Sequence, residues 1–117
     1  MCTQRSLQLI LHMVCEEMQR MFNEKLKSVI LYGSYARGDY DNESDIDIMV
    51  LVDMSDAELN DYNREIVDFE VGINLEYDVV LSIFVNDCKH FEQWLPVLPF
   101  YRNIKTEGVV VSERHLL

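Results

Sequence analysis

Two closely spaced aspartates in the middle of the sequence could bind a metal ion. Asp45 and Asp47 open an apolar run, and the period of two in a β-strand puts both carboxylates on one face of a sheet. Like charges about 5 Å apart repel by roughly 3 kcal/mol at an effective dielectric constant of 20, and a cation would relieve this repulsion. Such carboxylates suit Mg²⁺. The pair therefore predicts a magnesium site, with a solvated strand end as the alternative.

A glycine-serine pair upstream could bind phosphate. Gly33 lets the backbone approach a ligand where a Cβ would clash, and Ser34 offers a hydroxyl and a backbone N–H. Residues 35–37 can begin a helical turn whose N-terminal amides attract anions. Arg37 could neutralise phosphate charge during phosphoryl transfer, or it could form a surface ion pair with a nearby acid.

Strands and helices must bring these two features together. Apolar runs and periodicity predict strands at residues 29–32, 44–52, 77–85 and 109–111, and helices at residues 6–22, 54–77, 87–95 and 99–105. Ser55 begins a capping box for the second long helix, which is expected to end near Gly72. Asn86 is expected to cap the helix predicted at residues 87–95. This order predicts a sheet of at least three strands covered by helices.

Length and composition restrict the function. The 117 residues predict one domain, residues 1–117, with no room for a second substrate-binding domain. A net charge of −11 argues against binding long nucleic acids, because that affinity comes largely from Lys and Arg. Three widely spaced cysteines indicate neither a disulfide framework nor a zinc site. No segment is apolar enough to span a membrane, and a cytoplasmic location is expected.

The spacing of the two features resembles that of a known superfamily. Gly33-Ser34, ten residues and then Asp45-x-Asp47 resembles the signature of the nucleotidyltransferases that include DNA polymerase beta. The stretch GSYARGDYDNESDIDIMV resembles their smallest members, the minimal nucleotidyltransferases encoded beside HEPN-domain proteins, and the tail PFYRNIKTEGVVV resembles theirs. The resemblance implies an α/β (α+β) nucleotidyltransferase fold, a small mixed β-sheet flanked by helices.

The resemblance also implies a complete site. Minimal nucleotidyltransferases carry a third carboxylate on the strand beside the DxD strand, and Asp78 matches it, with Glu76 as the fallback. A charged residue opening an apolar run needs a partner. Asp45, Asp47 and Asp78 are then the catalytic residues, and they hold two Mg²⁺ ions. Gly33, Ser34 and Arg37 bind the triphosphate of ATP.

The function implied by the resemblance is transfer of AMP from ATP to a hydroxyl of a HEPN-domain toxin, which silences the toxin. One alternative is a noncatalytic antitoxin that neutralises its partner by covering it. Another is a small-molecule nucleotidyltransferase resembling the aminoglycoside-modifying enzymes, which usually need a longer chain to hold the antibiotic. The sequence leaves the acceptor, the nucleotide preference and the oligomeric state open, and an oligomer is compatible with it.

Overall fold

A four-stranded sheet organises the chain. The computed structural model describes residues 3–41 and 43–111, and Cys2 lies outside them. The elements in chain order are α1 (Gln4–Phe22), β1 (Leu26–Tyr32), α2 (Ser34–Arg37), β2 (Ile46–Val52), α3 (Asp56–Leu59), α4 (Asn63–Tyr77), β3 (Leu81–Asp87), α5 (Cys88–Trp94), α6 (Pro99–Glu107) and β4 (Val109–Val110). The predicted mixed sheet flanked by helices is confirmed.

The strand order in the sheet is β3-β2-β1-β4. β1 pairs antiparallel with β2 and with β4, whereas β2 and β3 are parallel. β2 lies inside the sheet with packing on both faces, so its run Ile46–Val52 is apolar and buried except at Asp47. Asp47 has Tyr32 of β1 opposite it on one side and Ser82 of β3 beside it on the other.

The two faces of the sheet have separate cores. On one face α1 and α4 pack against Ile48 and Val50 of β2, which are fully buried. On the other face α5 and α6 cover Met49 and Leu51. Because side chains alternate along a strand, Asp47 points to the face of α5 and α6.

The predicted long helix at residues 54–77 is divided into two. Ser55 forms the predicted capping box with Glu58 and starts α3, but a 3₁₀ turn at residues 60–62 separates α3 from α4. Asn60 and Asp61 explain the break, because their side chains favour turns over helix interiors. α4 runs through Gly72 to Tyr77, so the expected end near Gly72 is wrong. No helix among the described residues is both long and apolar enough to cross a membrane.

The strand predicted at residues 77–85 starts later than expected. Tyr77 still belongs to α4, and Asp78 ends that helix in the left-handed conformation, with φ 52° and ψ 52°. Asp is one of the few residues other than Gly that tolerate this conformation. β3 therefore begins at Leu81, and Asp78 is a helix cap where a strand residue was predicted.

The cap of α5 also differs from the prediction. Asp87, and not Asn86, caps this helix, because the Asp87 side chain accepts a hydrogen bond from the Lys89 backbone N–H at 3.0 Å. Asn86 is buried, and its side-chain amide donates to the Tyr101 hydroxyl at 2.8 Å. Asn86 thus ties β3 to α6.

Candidate active site

The end of β1 and the start of β2 lie side by side and form the candidate site. Gly33 directly follows β1 and has φ +75° and ψ −154°, a conformation essentially restricted to glycine. A Cβ at this position would lie 2.5 Å from Oδ2 of Asp47. The structure therefore places the glycine turn next to the Asp47 carboxylate.

The turn after Gly33 is the predicted helical turn. The backbone N–H groups of Ala36 and Arg37 both donate to the Gly33 carbonyl at 3.1 Å, and that of Gly38 donates to the Ser34 carbonyl at 2.9 Å. Gly38 ends the turn in the left-handed conformation. Ser34 is thus the first residue of α2, with its hydroxyl and backbone N–H at the end of the helix that attracts anions.

The two aspartates differ in their surroundings. Asp45 is exposed and precedes β2, while Asp47 is partly buried within it. Burial raises the pKa of Asp47, the negative charge of Asp45 raises this pKa further, and the positive charge of Arg37 lowers it. The surroundings of Asp47 therefore disfavour its negative charge. Two carboxylates of this kind fit Mg²⁺, because this ion prefers oxygen ligands that carry negative charge.

Asp78 does not lie with the other two aspartates. Among residues 3–41 and 43–111, no group of three or more His, Cys, Asp or Glu side chains is placed to hold a metal ion. Asp78 is exposed at the end of α4, and Glu76, the fallback, is exposed in the last turn of that helix. The role of Asp78 as a third ligand stays a prediction.

Arg37 forms ion pairs at the surface. Its Nε lies 3.2 Å from Asp39 Oδ2, and one of its terminal nitrogens lies 3.5 Å from Glu107 Oε2. These hydrogen bonds, the one to Asp39 above all, raise the pKa of Arg37. The alternative of a surface ion pair is therefore realised in this structure. Exposed pairs of this kind are weak, so they leave the guanidinium available to a phosphate.

A groove of about 210 Å³ opens beside Gly33 and Arg37. Tyr32 and Phe100 form its aromatic walls, with their ring centroids 5.8 Å apart and nearly perpendicular. Burial, with a smaller contribution from the charge of Asp47, raises the pKa of the Tyr32 hydroxyl. The groove extends from the Gly33 turn to α6.

The sequence predicts no chemistry for α6, although this helix forms one side of the groove. Phe100, Asn103 and Glu107 all line it. The signal that could have identified them is their spacing, because residues three and four apart on a helix share a face. The spacing does not show which strand that face meets, since this depends on the tertiary packing.

Comparisons with known proteins agree with this geometry. A family model described as "Nucleotidyltransferase domain" matches residues 11–111. A protein of Methanocaldococcus jannaschii named "Putative protein adenylyltransferase" is 37% identical over 90 residues, which is 77% of this chain and 82% of that protein. Another protein of the same organism, with the same kind of name, is 37% identical over 67 residues, 57% of this chain and 66% of that protein.

The likeness to solved structures is weaker. A chain in a structure described as "Crystal structure of the toxin-antitoxin with AMP-PNP" has a TM-score of 0.47 and 17% identity, and the match covers 94% of this chain and 76% of that one.

Proposed function

This chain belongs to the nucleotidyltransferase family, and on that premise we propose that it transfers AMP from ATP to a hydroxyl group of a partner protein. The observation that carries the proposal is the contact between the Gly33 turn and the Asp47 carboxylate. At this contact the N-terminal end of α2, which can bind phosphate, lies next to the carboxylate pair, which is suited to Mg²⁺. The names of the relatives support a protein acceptor.

Each part of the site has a separate task. Ser34 and the start of α2 bind the outer phosphates through hydrogen bonds, and Arg37 adds positive charge to them. Asp45 and Asp47 hold the Mg²⁺ ions of the MgATP complex. When bound, Mg²⁺ offsets the charge on the triphosphate and on the departing pyrophosphate. Asp78, the sequence-based candidate for a third ligand, is exposed at the end of α4 and has no task in this arrangement.

The reaction is an in-line displacement at the α-phosphorus. The acceptor oxygen bonds to the α-phosphorus while the bond from that phosphorus to its bridging oxygen breaks. Pyrophosphate leaves, and the proton of the acceptor hydroxyl passes to solvent. The role of the chain is to fix the phosphates and the acceptor in this arrangement, which can supply much of the rate enhancement.

The groove lined by Tyr32 and Phe100 is the proposed place for the nucleoside. It adjoins Gly33 and Arg37, so a triphosphate held by α2 would have its adenosine end within reach. Aromatic side chains stack on nucleobases without strong sequence preference. The adenine base would therefore be held by stacking.

The proposed acceptor is a HEPN-domain toxin. The resemblance of GSYARGDYDNESDIDIMV to the minimal nucleotidyltransferases supports this partner. The net charge of −11 favours a partner with a basic surface, because opposite charges accelerate encounter and select the partner. The reaction would take place in the cytoplasm, where ATP and the partner are both present.

Labelled ATP tests the reaction directly. The protein is incubated with Mg²⁺, the purified product of the neighbouring gene, and ATP labelled at either the α- or the γ-phosphate. The proposal expects the partner to gain the α-label and not the γ-label. Transfer of the γ-label would identify a kinase, and an aminoglycoside that takes up the α-label in place of the partner would identify a small-molecule enzyme.

Binding can be tested separately from transfer. Mg²⁺ with a nonhydrolysable ATP analogue is expected to raise the melting temperature, because a ligand that binds only the folded state stabilises it. At 100 times the dissociation constant this stabilisation is about 2.7 kcal/mol. An unchanged melting temperature at millimolar ligand contradicts a competent nucleotide site.

A further inference from the structure

Ser82 lies directly beside Asp47 in the sheet. The two residues are paired in the parallel register of β2 and β3, and neighbouring strands are about 4.8 Å apart. Their side chains also share a face. Leu81 and Ile83 pack against the core formed by α1, whereas Asn86, four residues after Ser82, bonds to α6 on the other face. The Ser82 side chain is exposed on the face of the candidate site.

Hydrogen bonds on both sides of β3 fix this register. Toward β2, the Ile46 backbone N–H donates to the Val80 carbonyl at 2.8 Å. On the outer side, the Leu81 N–H donates to the Asn74 side chain at 2.7 Å and the Ile83 N–H donates to the Glu70 carboxylate at 2.6 Å. The backbone amides on either side of Ser82 are therefore both hydrogen-bonded to side chains of α4.

Asp78 cannot take the place of Ser82 without a large rearrangement. Asp78 precedes Ser82 by four residues, so a slip of four positions would be needed to bring it beside Asp47. Such a slip would keep its side chain on the same face, because side chains alternate. It would nevertheless break the bonds to Asn74 and Glu70 and unwind the end of α4.

We propose that Ser82, in place of Asp78, is the third side chain of the metal site beside Asp45 and Asp47. This inference rests on the proposed function. The Ser82 hydroxyl would contribute a neutral oxygen to a divalent cation or to a water molecule bound to that cation. The site then has two negative charges, and a carboxylate introduced at residue 82 should strengthen cation binding, because affinity increases with the charge of the ligands.

Mn²⁺ titration of the full chain, followed by electron paramagnetic resonance, tests this assignment. Ser82→Asp is expected to bind Mn²⁺ about tenfold more tightly, the effect of a unit charge about 5 Å from a divalent cation in a solvated site. Ser82→Ala should weaken binding by about twofold to threefold, since it removes one neutral ligand. Asp78→Asn should leave the affinity within about twofold of the wild type, since an exposed charge further from the cation is screened.

Ser28→Asp is the matched control. Ser28 lies on β1, four positions along the strand from Tyr32. The substitution therefore adds the same charge roughly 13 Å from the site. It should not change Mn²⁺ affinity by more than about twofold. Circular dichroism and the melting temperature verify that each variant is folded before titration.

Two results would overturn the assignment. One is a folded Asp78→Asn variant that loses Mn²⁺ affinity tenfold or more, and the other is a folded Ser82→Asp variant that binds Mn²⁺ no more tightly than the wild type. Neither result contradicts the proposed function, which fails if the wild type transfers no α-label to a partner protein. The two failures are therefore distinguished by separate measurements.

Discussion

The Asp47 carboxylate lies in the space that a Cβ at Gly33 would occupy. With 2.5 Å between Oδ2 and a Cβ at residue 33, no other residue fits there without moving the carboxylate. The positive φ of Gly33 adds a second requirement for glycine. The conformation of the Gly33 turn and the position of the Asp47 carboxylate are therefore coupled.

Gly33→Ala should destabilise the fold and abolish nucleotide binding. A non-glycine residue in this conformation costs about 1–3 kcal/mol, which lowers the melting temperature of a domain of this size by roughly 5–10 °C. The displaced carboxylate should also lose Mg²⁺. Thermal unfolding with and without MgATP analogue measures both effects. Gly72→Ala is the control, because Gly72 is an exposed residue of α4 with open space around it, and alanine should stabilise the helix.

Asp47→Asn should stabilise the protein at neutral pH in the absence of metal. The folded-state pKa of Asp47 is raised above its ordinary value of 3.8. The stabilisation from its neutral form is therefore complete below that value and is lost as pH rises through the folded pKa. The variant should melt roughly 2 °C above the wild type at pH 7, a small gain because the carboxylate is partly solvated.

The difference in melting temperature between this variant and the wild type should shrink as the pH falls to 4. Thermal scans in chelator at both pH values measure it. Adding Mg²⁺ should then stabilise the wild type and not the variant. A variant that is less stable than the wild type at pH 7 would mean that Asp47 has a structural role.

Arg37→Ala should weaken binding of the ATP analogue with little change in stability. Its ion pairs with Asp39 and Glu107 are exposed and contribute little to folding. A lost charged hydrogen bond to phosphate costs about 1.5–3 kcal/mol, or roughly 10-fold to 150-fold in affinity. Isothermal titration calorimetry measures it. Arg20→Ala is the matched control, because Arg20 is an exposed arginine paired with Glu17 and Glu65, and its loss should leave affinity unchanged.

Phe100→Ala should weaken binding of the ATP analogue but not of inorganic triphosphate. Phe100 is half-exposed and forms one wall of the groove. Loss of one aromatic stacking partner costs about 1–3 kcal/mol. Competition titrations with both ligands separate the two contributions. Equal weakening for both ligands would place the base elsewhere and give Phe100 a role in holding α6.

Asp45→Asn combined with Asp47→Asn should abolish transfer of the α-label and, with it, protection of cells that express the partner. Removing both charges removes the metal site without deleting side-chain volume. Growth of these cells and uptake of label by the partner are the two measurements. If transfer stops and the cells still grow, the protein neutralises its partner by binding, and catalysis is dispensable for protection.

The sequence predicts much of the site because its signals are local. Gly33-Ser34 and Asp45-x-Asp47 each mark a strand end, and pairing β1 with β2 is enough to bring them together. Asp78 depends on a nonlocal feature, the register of β3, which is fixed by side chains from α4. No sequence pattern indicates such hydrogen bonds. The sequence around Asp78 is equally compatible with a helix that ends there and with a strand that begins there.

The groove depends on nonlocal packing as well. The helical face of α6 is visible in the sequence, but its position over Tyr32 follows from the packing of Tyr101 and Ile104 on the sheet. The buried bond from Asn86 to Tyr101 strengthens this packing. Sequence periodicity shows which face of a helix is apolar, but it does not show which element that face packs against.

The side chains that α4 extends to β3 also limit how another protein can attach to this one. With the outward amides of Leu81 and Ile83 already bound to Asn74 and Glu70, an incoming peptide would have to displace an amide and a carboxylate before it could add a strand at this border. Strand addition is therefore disfavoured here, both for self-aggregation and for the binding of a partner protein. A partner would instead approach the end of β2 that carries Asp45 and Asp47, where the proposed reaction needs its hydroxyl.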